Sequence, residues 1–96
     1  MVLELGIMND AEKLEKLLKV VANRRRIKIL QFLKRNHEAN VRIIAEAIEL
    51  SFKATSKHLA KLRSLDIIER HQVSLEVWYR LSKTQHAIVN KLLSLL

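Results

Sequence analysis

The sequence contains no cysteine and no proline, and its one glycine is Gly6. Without thiols there is no disulfide framework, thiolate metal site or thiol nucleophile, which removes much catalytic chemistry and favours an intracellular, cytoplasmic setting. With no proline and one glycine, turns carry none of their usual marks, so boundaries must come from hydrophobic periodicity and helix caps. Aromatic residues make up only 4% of the chain, too few for a surface on which bases stack; Trp78 and Tyr79 read instead as hairpin packing. No apolar run approaches the roughly 20 residues of a membrane span, and the N-terminus lacks the basic start and long apolar stretch of a signal peptide. A soluble protein with no membrane partner is expected.

Acid is missing from one segment in particular. "SFKATSKHLAKLR", Ser51 to Arg63, holds Lys53, Lys57, Lys61 and Arg63 and no carboxylate. At about 100° per residue, Lys53, Lys57 and Lys61 fall at i, i+4 and i+8, joined on that side by Ser56, Ala60 and Ser64. Thr55, His58, Leu59 and Leu62 fall on the other side. The pattern predicts a helix that buries leucines and presents a narrow cationic ridge with small residues between the lysines. The chain as a whole shares the bias: eighteen Lys and Arg against ten Asp and Glu leave +8, a balance suited to polyanions such as nucleic acid. On an isolated helix a solvated face is the plainer explanation; a preceding helix-turn-helix pattern reverses that weighting.

Ninety-six residues, 49% of them hydrophobic, suit one domain over 1–96 with one core. Asn9 with Glu12 resembles a capping box, and Leu14, Leu17, Leu18 and Val21 follow at helical spacing, predicting a first helix over about 10–22. Asn23 caps a second helix with Ile27, Leu30 and Leu33, ending near the polar "KRNHEAN". Asn40 caps a short third helix with Ile44, Ala45 and Ile48. Glu49, Leu50 and Ser51 then separate it from the basic helix, with Ser51 as N-cap, which makes a helix-turn-helix. "IIERHQVSLEVWYRL" alternates and is rich in β-branched and aromatic residues, predicting a hairpin that turns near Gln72 to Ser74. Ser82 with Gln85 forms a second capping-box pattern, opening a last helix over about 83–96. Its apolar residues exceed one stripe. Ile88, Leu92, Leu95 and Leu96, with Leu3, Leu5, Leu14 and Leu18, offer a surface for a second copy of the chain.

The resulting order, α-α-α-α-β-β-α, is mainly α with a small β-hairpin, a winged helix-turn-helix. Here "LLKVVANRRRIKIL", "IIAEAIELSFKATSKHLAKLRSLDII" and "VWYRL" resemble the corresponding stretches of ArsR-type repressors, over about 17–93. The sharpest part is Leu50, Ser51, Ser56, Lys57, His58, Leu59, Leu62 and Arg63. The resemblance implies a homodimeric regulator of transcription. The helix after Ser51 would enter the major groove, the hairpin would form the wing, and the first and last helices would pair two subunits. It also implies that Arg26 is structural.

The departures carry information too. Metal-sensing members have Cys-x-Cys where this sequence has Asn40, Val41 and Arg42, and zinc ligands early on the last helix where it has Lys83 and Gln85, with His86 one place off. No metal site and no cofactor are expected; His37, His58, His71 and His86 show no paired ligand spacing. Glycines usual at three turns are replaced by Glu49, Asp66 and Ser74. A left-handed Glu49 would cost on the order of 1 kcal/mol. The wing tip "HQVSLE" lacks the usual arginines.

The candidate DNA contacts are Ser51 as cap, Lys53, Ser56 and Lys57 at base edges and nearby phosphates, and Phe52 against a thymine methyl. Lys61, Arg63 and Arg70 are assigned to phosphates. Arg24 and Arg25 read as exposed, with a phosphate clamp the lesser alternative. No catalytic constellation can be placed, so an enzyme is not expected. The alternatives are an architectural protein with little sequence preference, set apart by a salt-stable preference for one duplex, and a winged-helix module for protein interaction, which would bind no duplex.

Overall fold

A computed structural model describes residues 10–96; Leu3, Leu5 and Asn9, the last of these half of the first predicted capping box, lie outside the described residues. The elements run α1 (Asp10–Val21), α2 (Arg24–Asn36), β1 (Glu38–Asn40), α3 (Val41–Ile48), α4 (Phe52–Ser64), β2 (Ile68–Val73), β3 (Glu76–Leu81) and α5 (Ala87–Ser94). Asparagines start two of the helices. Asn23 Oδ1 accepts from the Arg26 backbone N–H at 3.1 Å, and Asn40 Oδ1 accepts from that of Ile43 at 2.9 Å. Each satisfies an N–H that has no partner in the first helical turn.

The sheet has three antiparallel strands in the order β1-β3-β2. β1 was not anticipated: Glu38–Asn40 sits inside the polar "KRNHEAN", and three residues are too few to show alternation. It is a strand because β3 offers it an edge, with Ala39 opposite Tyr79 and Asn40 opposite Trp78. The hairpin also turns slightly later than its composition indicated. Val73 pairs with Glu76, so Ser74 and Leu75 form the turn.

The last helix begins at Ala87 rather than near 83. Ser82 is still held by the strands, its N–H donating to the Ile67 carbonyl at 3.0 Å. Gln85 Nε2 donates to the Ile67 and Ser82 carbonyls at 2.8 and 2.9 Å instead of closing a capping box. His86 takes the cap, its Nδ1 accepting from the Ile88 N–H at 3.1 Å. The core draws on every helix and on all three strands, with Ile29, Leu30, Leu33, Ile44, Leu59, Leu62, Ile67, Ile68 and Val89 almost fully buried. Leu92 and Leu96 are half-buried against this core. The outward apolar surface of α1 and α5 is therefore carried by Leu14, Leu18, Ile88 and Leu95.

Both helices of the helix-turn-helix end in the same way. Leu50 N–H donates to the Ala45 carbonyl and Glu49 N–H to that of Glu46; after α4, Ile67 N–H reaches the Leu62 carbonyl and Asp66 N–H that of Arg63. Each is a Schellman motif, which requires a left-handed residue just past the helix. Glu49 has φ 56° and Asp66 φ 58°, and Ser74 in the wing turn has φ 59°. All three positions where the resemblance placed glycine thus have positive φ. His37, at φ 69°, is a fourth such residue that nothing in the pattern marked.

Candidate nucleic-acid interface

Three residues, Glu49, Leu50 and Ser51, join α3 to α4. Ser51 Oγ accepts from the Ala54 N–H at 3.1 Å, as an N-cap should. From this start the helical period divides α4 as its composition indicated. Thr55, Leu59 and Leu62 are fully buried, while Lys53, Lys57, Ala60, Lys61, Arg63 and Ser64 are exposed and Ser56 is half-buried. The apolar face locks the helix onto α2, α3 and β2, which leaves the lysine row with no freedom except outward.

The ridge is also electrically uncommitted. Ion pairs among the described residues join Lys19 to Glu15 and Arg80 to Glu69, and His71 Nε2 lies 3.2 Å from a Glu38 carboxylate oxygen. None involves Lys53, Lys57, Lys61, Arg63 or Arg70. Desolvating one of these cations against a phosphate therefore breaks no existing pair. Phe52, at the first helical position, is 61% exposed. Arg70 is exposed on β2 opposite the buried Tyr79, and Trp78 is half-buried in the hairpin.

Beneath the ridge lies a polar anchor. Arg26 is buried; its Nη1 donates to the Val20 carbonyl at 2.9 Å and its Nε to His58 Nδ1 at 3.1 Å. One side chain thus joins α1, α2 and α4, which agrees with a structural role. Arg24 and Arg25 are exposed at the start of α2. His58 must be neutral at Nδ1 to accept. Its pKa is lowered, first by burial and then by the charges of Arg26, Arg25 and Lys61. Sequence reasoning placed His58 on the inner face but had no signal for its partner, thirty-two positions away.

The hairpin is tied to the start of α3 through Asn40. While its Oδ1 caps α3, its Nδ2 donates to Glu76 Oε2 at 3.3 Å on β3. With that side chain so engaged and Arg42 bringing a positive charge, the start of α3 does not fit a thiophilic metal. Among the described residues no group of three His, Cys, Asp or Glu converges, and no helix is long and apolar enough to cross a membrane.

Comparison with known proteins agrees with this architecture. The family model for "bacterial regulatory protein, arsR family" matches residues 23–70, from the cap of α2 into β2. Transcriptional activator HlyU of Vibrio cholerae is 41% identical over 69 residues, which are 72% of this chain and 63%, less than two thirds, of HlyU. The structure of reduced HlyU superposes with a TM-score of 0.76 at 34% identity, over 93% of this chain and 90% of that one. Transcriptional repressor PagR of Bacillus anthracis is 30% identical over 90 residues, 94% of this chain and 86% of PagR. The crystal structure of NolR from Sinorhizobium fredii gives a TM-score of 0.79 at 29% identity, covering 96% and 90%. With the family model matched over half of the chain and PagR 30% identical across most of both proteins, the chain belongs to the arsR family of bacterial regulatory proteins and has the winged helix-turn-helix fold.

Proposed function

We propose that the protein is a homodimeric, sequence-specific repressor that reads double-stranded DNA with α4. The observation that carries this is the division of α4: one face fully buried on the core, the other an acid-free row of lysines with no ion-pair partner among the described residues. Carboxylates there would repel phosphates, and the small Ser56 and Ala60 let the helix approach base edges. Ser51, Phe52, Lys53, Ser56 and Lys57, near the N-terminal end, go deepest; Lys61, Arg63 and Arg70 meet the backbone. PagR is named a repressor and HlyU an activator. Repression is favoured here because a helix seated in the groove needs nothing more than occupancy to block a promoter. The dimer reading rests on Leu14, Leu18, Ile88 and Leu95, which stand exposed on α1 and α5.

Selection of bound duplexes from a random pool at 150 mM salt tests the proposal. A recovered site with two symmetric halves, roughly 34 Å apart on one face of the duplex, is the expected result. Recovery of unrelated sequences at equal affinity would favour an architectural role, and failure to bind any duplex at low salt would favour a protein-interaction module.

A further inference from the structure

Between the start of α3, the first residue of α4 and the wing lies an open cleft of about 410 Å³, within the roughly 300–1,000 Å³ range of small-molecule sites. Its apolar walls include Phe52, Leu75, Val77 and Tyr79. Phe52 is 61% and Leu75 93% exposed, so these two wall residues have little cover of their own. Its polar groups are unequal. Asn40 and Glu76 are engaged with each other, and Asn40 also caps α3. Arg42 is exposed and, among the described residues, has no carboxylate within 4.0 Å. Glu76 keeps its charge, since the Asn40 amide is neutral, but one of its oxygens is engaged; Arg42 is the charged group of the cleft whose side chain has no hydrogen-bond partner among the described residues, and its fork matches a carboxylate.

We propose that this cleft binds a small organic carboxylate with an aryl or branched-alkyl body, and that its occupancy competes with DNA. Arg42 holds the carboxylate; Phe52, Leu75 and Val77 cover the body. Apolar walls of this extent favour an organic anion over a bare phosphate of the duplex, which would leave Leu75 and Val77 in contact with water. The occupant would cover the side of Phe52 assigned above to a thymine methyl and brace the wing against the start of α4. The coupling to DNA rests on the proposed reading of α4, whereas binding of the carboxylate does not.

Titration of the ¹⁵N-labelled full chain with benzoate, benzamide and benzylamine separates the two. Benzoate should shift the amides of Arg42, Phe52, Leu75 and Val77, and the neutral and cationic analogues should bind at least about tenfold more weakly, the loss of one charge-assisted contact. Arg42→Gln should weaken benzoate by a similar factor, and Leu75→Ser, at a position too exposed to affect folding, by a few-fold. In competition, benzoate should raise the apparent Kd of the selected duplex for the parent and not for Arg42→Gln. Equal shifts from all three probes, shifts confined to α1 and α5, or an Arg42→Gln response equal to the parent's would overturn the site. Benzoate bound in the cleft without change in duplex affinity would overturn the competition. Loss of all duplex binding would count against the reading of α4 alone, and the titration would still decide the site.

Discussion

Replacing Glu49 by glycine should stabilise the protein. Glu49 closes α3 at φ 56°, ψ 52°, in the left-handed position of a Schellman motif. For a residue with a Cβ that conformation costs about 1–2 kcal/mol, because the Cβ crowds the following carbonyl. Glycine relieves the clash but returns about 0.4–1 kcal/mol to the unfolded chain as entropy. Glutamate also sets a negative charge at the negative end of the helix, worth roughly 0.3 kcal/mol more on removal. The net expectation is a gain of about 0.3–2 kcal/mol, with each kcal/mol raising the Tm by roughly 4–8 °C for a domain of this size. Asp66 holds the same position after α4, but aspartate tolerates the left-handed region better, so Asp66→Gly should gain less. Glu49→Ala is the control: it removes the charge and keeps the Cβ, so it should gain only a few tenths of a kcal/mol. Urea unfolding followed by far-UV circular dichroism gives each value, provided the slope stays constant. If Glu49→Gly is no more stable than the parent, or if alanine matches glycine, backbone strain is not what limits this turn.

The ridge makes a second test: Lys61→Ala should weaken specific and random duplex alike and lower the salt slope by about one per half-site, while Ser56→Ala or Lys57→Ala should cost about 1–3 kcal/mol on the selected site only, and Lys13→Ala should change neither. Binding equal to the parent's by all three ridge variants at 150 mM salt would reduce the ridge to a solvated face. Leu18→Lys with Leu95→Lys should give folded monomers by sedimentation that hold a full site poorly, since the avidity of two half-sites is lost; Leu92 and Leu96, packed on the core, would confound that test. His58 titrates below its ordinary value when folded, so the unfolded chain takes up the proton first. Its contribution is present above about pH 6.5 and is lost as pH falls through the lowered folded value; His58→Asn, which keeps an acceptor for Arg26, should flatten that part of the stability profile in urea titrations at pH 7.5 and 5. Zinc, cadmium and arsenite should bind no more tightly than to an unfolded control by calorimetry, because the start of α3 has Asn40 and Arg42 in place of thiolates.

Three of the five helices among the described residues were legible at their starts because a capping side chain precedes a repeat of 3.6. Asn23, Asn40 and Ser51 all cap as their positions indicated. What escaped was structure that depends on partners remote in sequence. β1 exists through pairing with β3, some forty residues on. Gln85 has the spacing of a capping box, but the Ser82 N–H that its oxygen would accept is already bound to the Ile67 carbonyl, and its Nε2 donates to the carbonyls of Ile67 and Ser82. Arg26 and His58 carry no local signature of their bond. For the candidate site, the division of α4 into buried and exposed faces followed from periodicity alone. The cleft at Arg42 did not, because three elements distant along the chain enclose it.

The guanidinium of Arg26 is a rigid plane whose Nε and Nη1 keep a fixed angle. One of these atoms grips the last turn of α1 at Val20 and the other grips the middle of α4 at His58. The two helices are therefore cross-linked through one side chain rooted on α2: a tilt at the end of α1 strains these part-buried bonds unless α4 turns with it or the Arg26 stem readjusts. The attitude of α1 is thereby one of the determinants of the angle at which Lys53, Lys57 and Lys61 are presented.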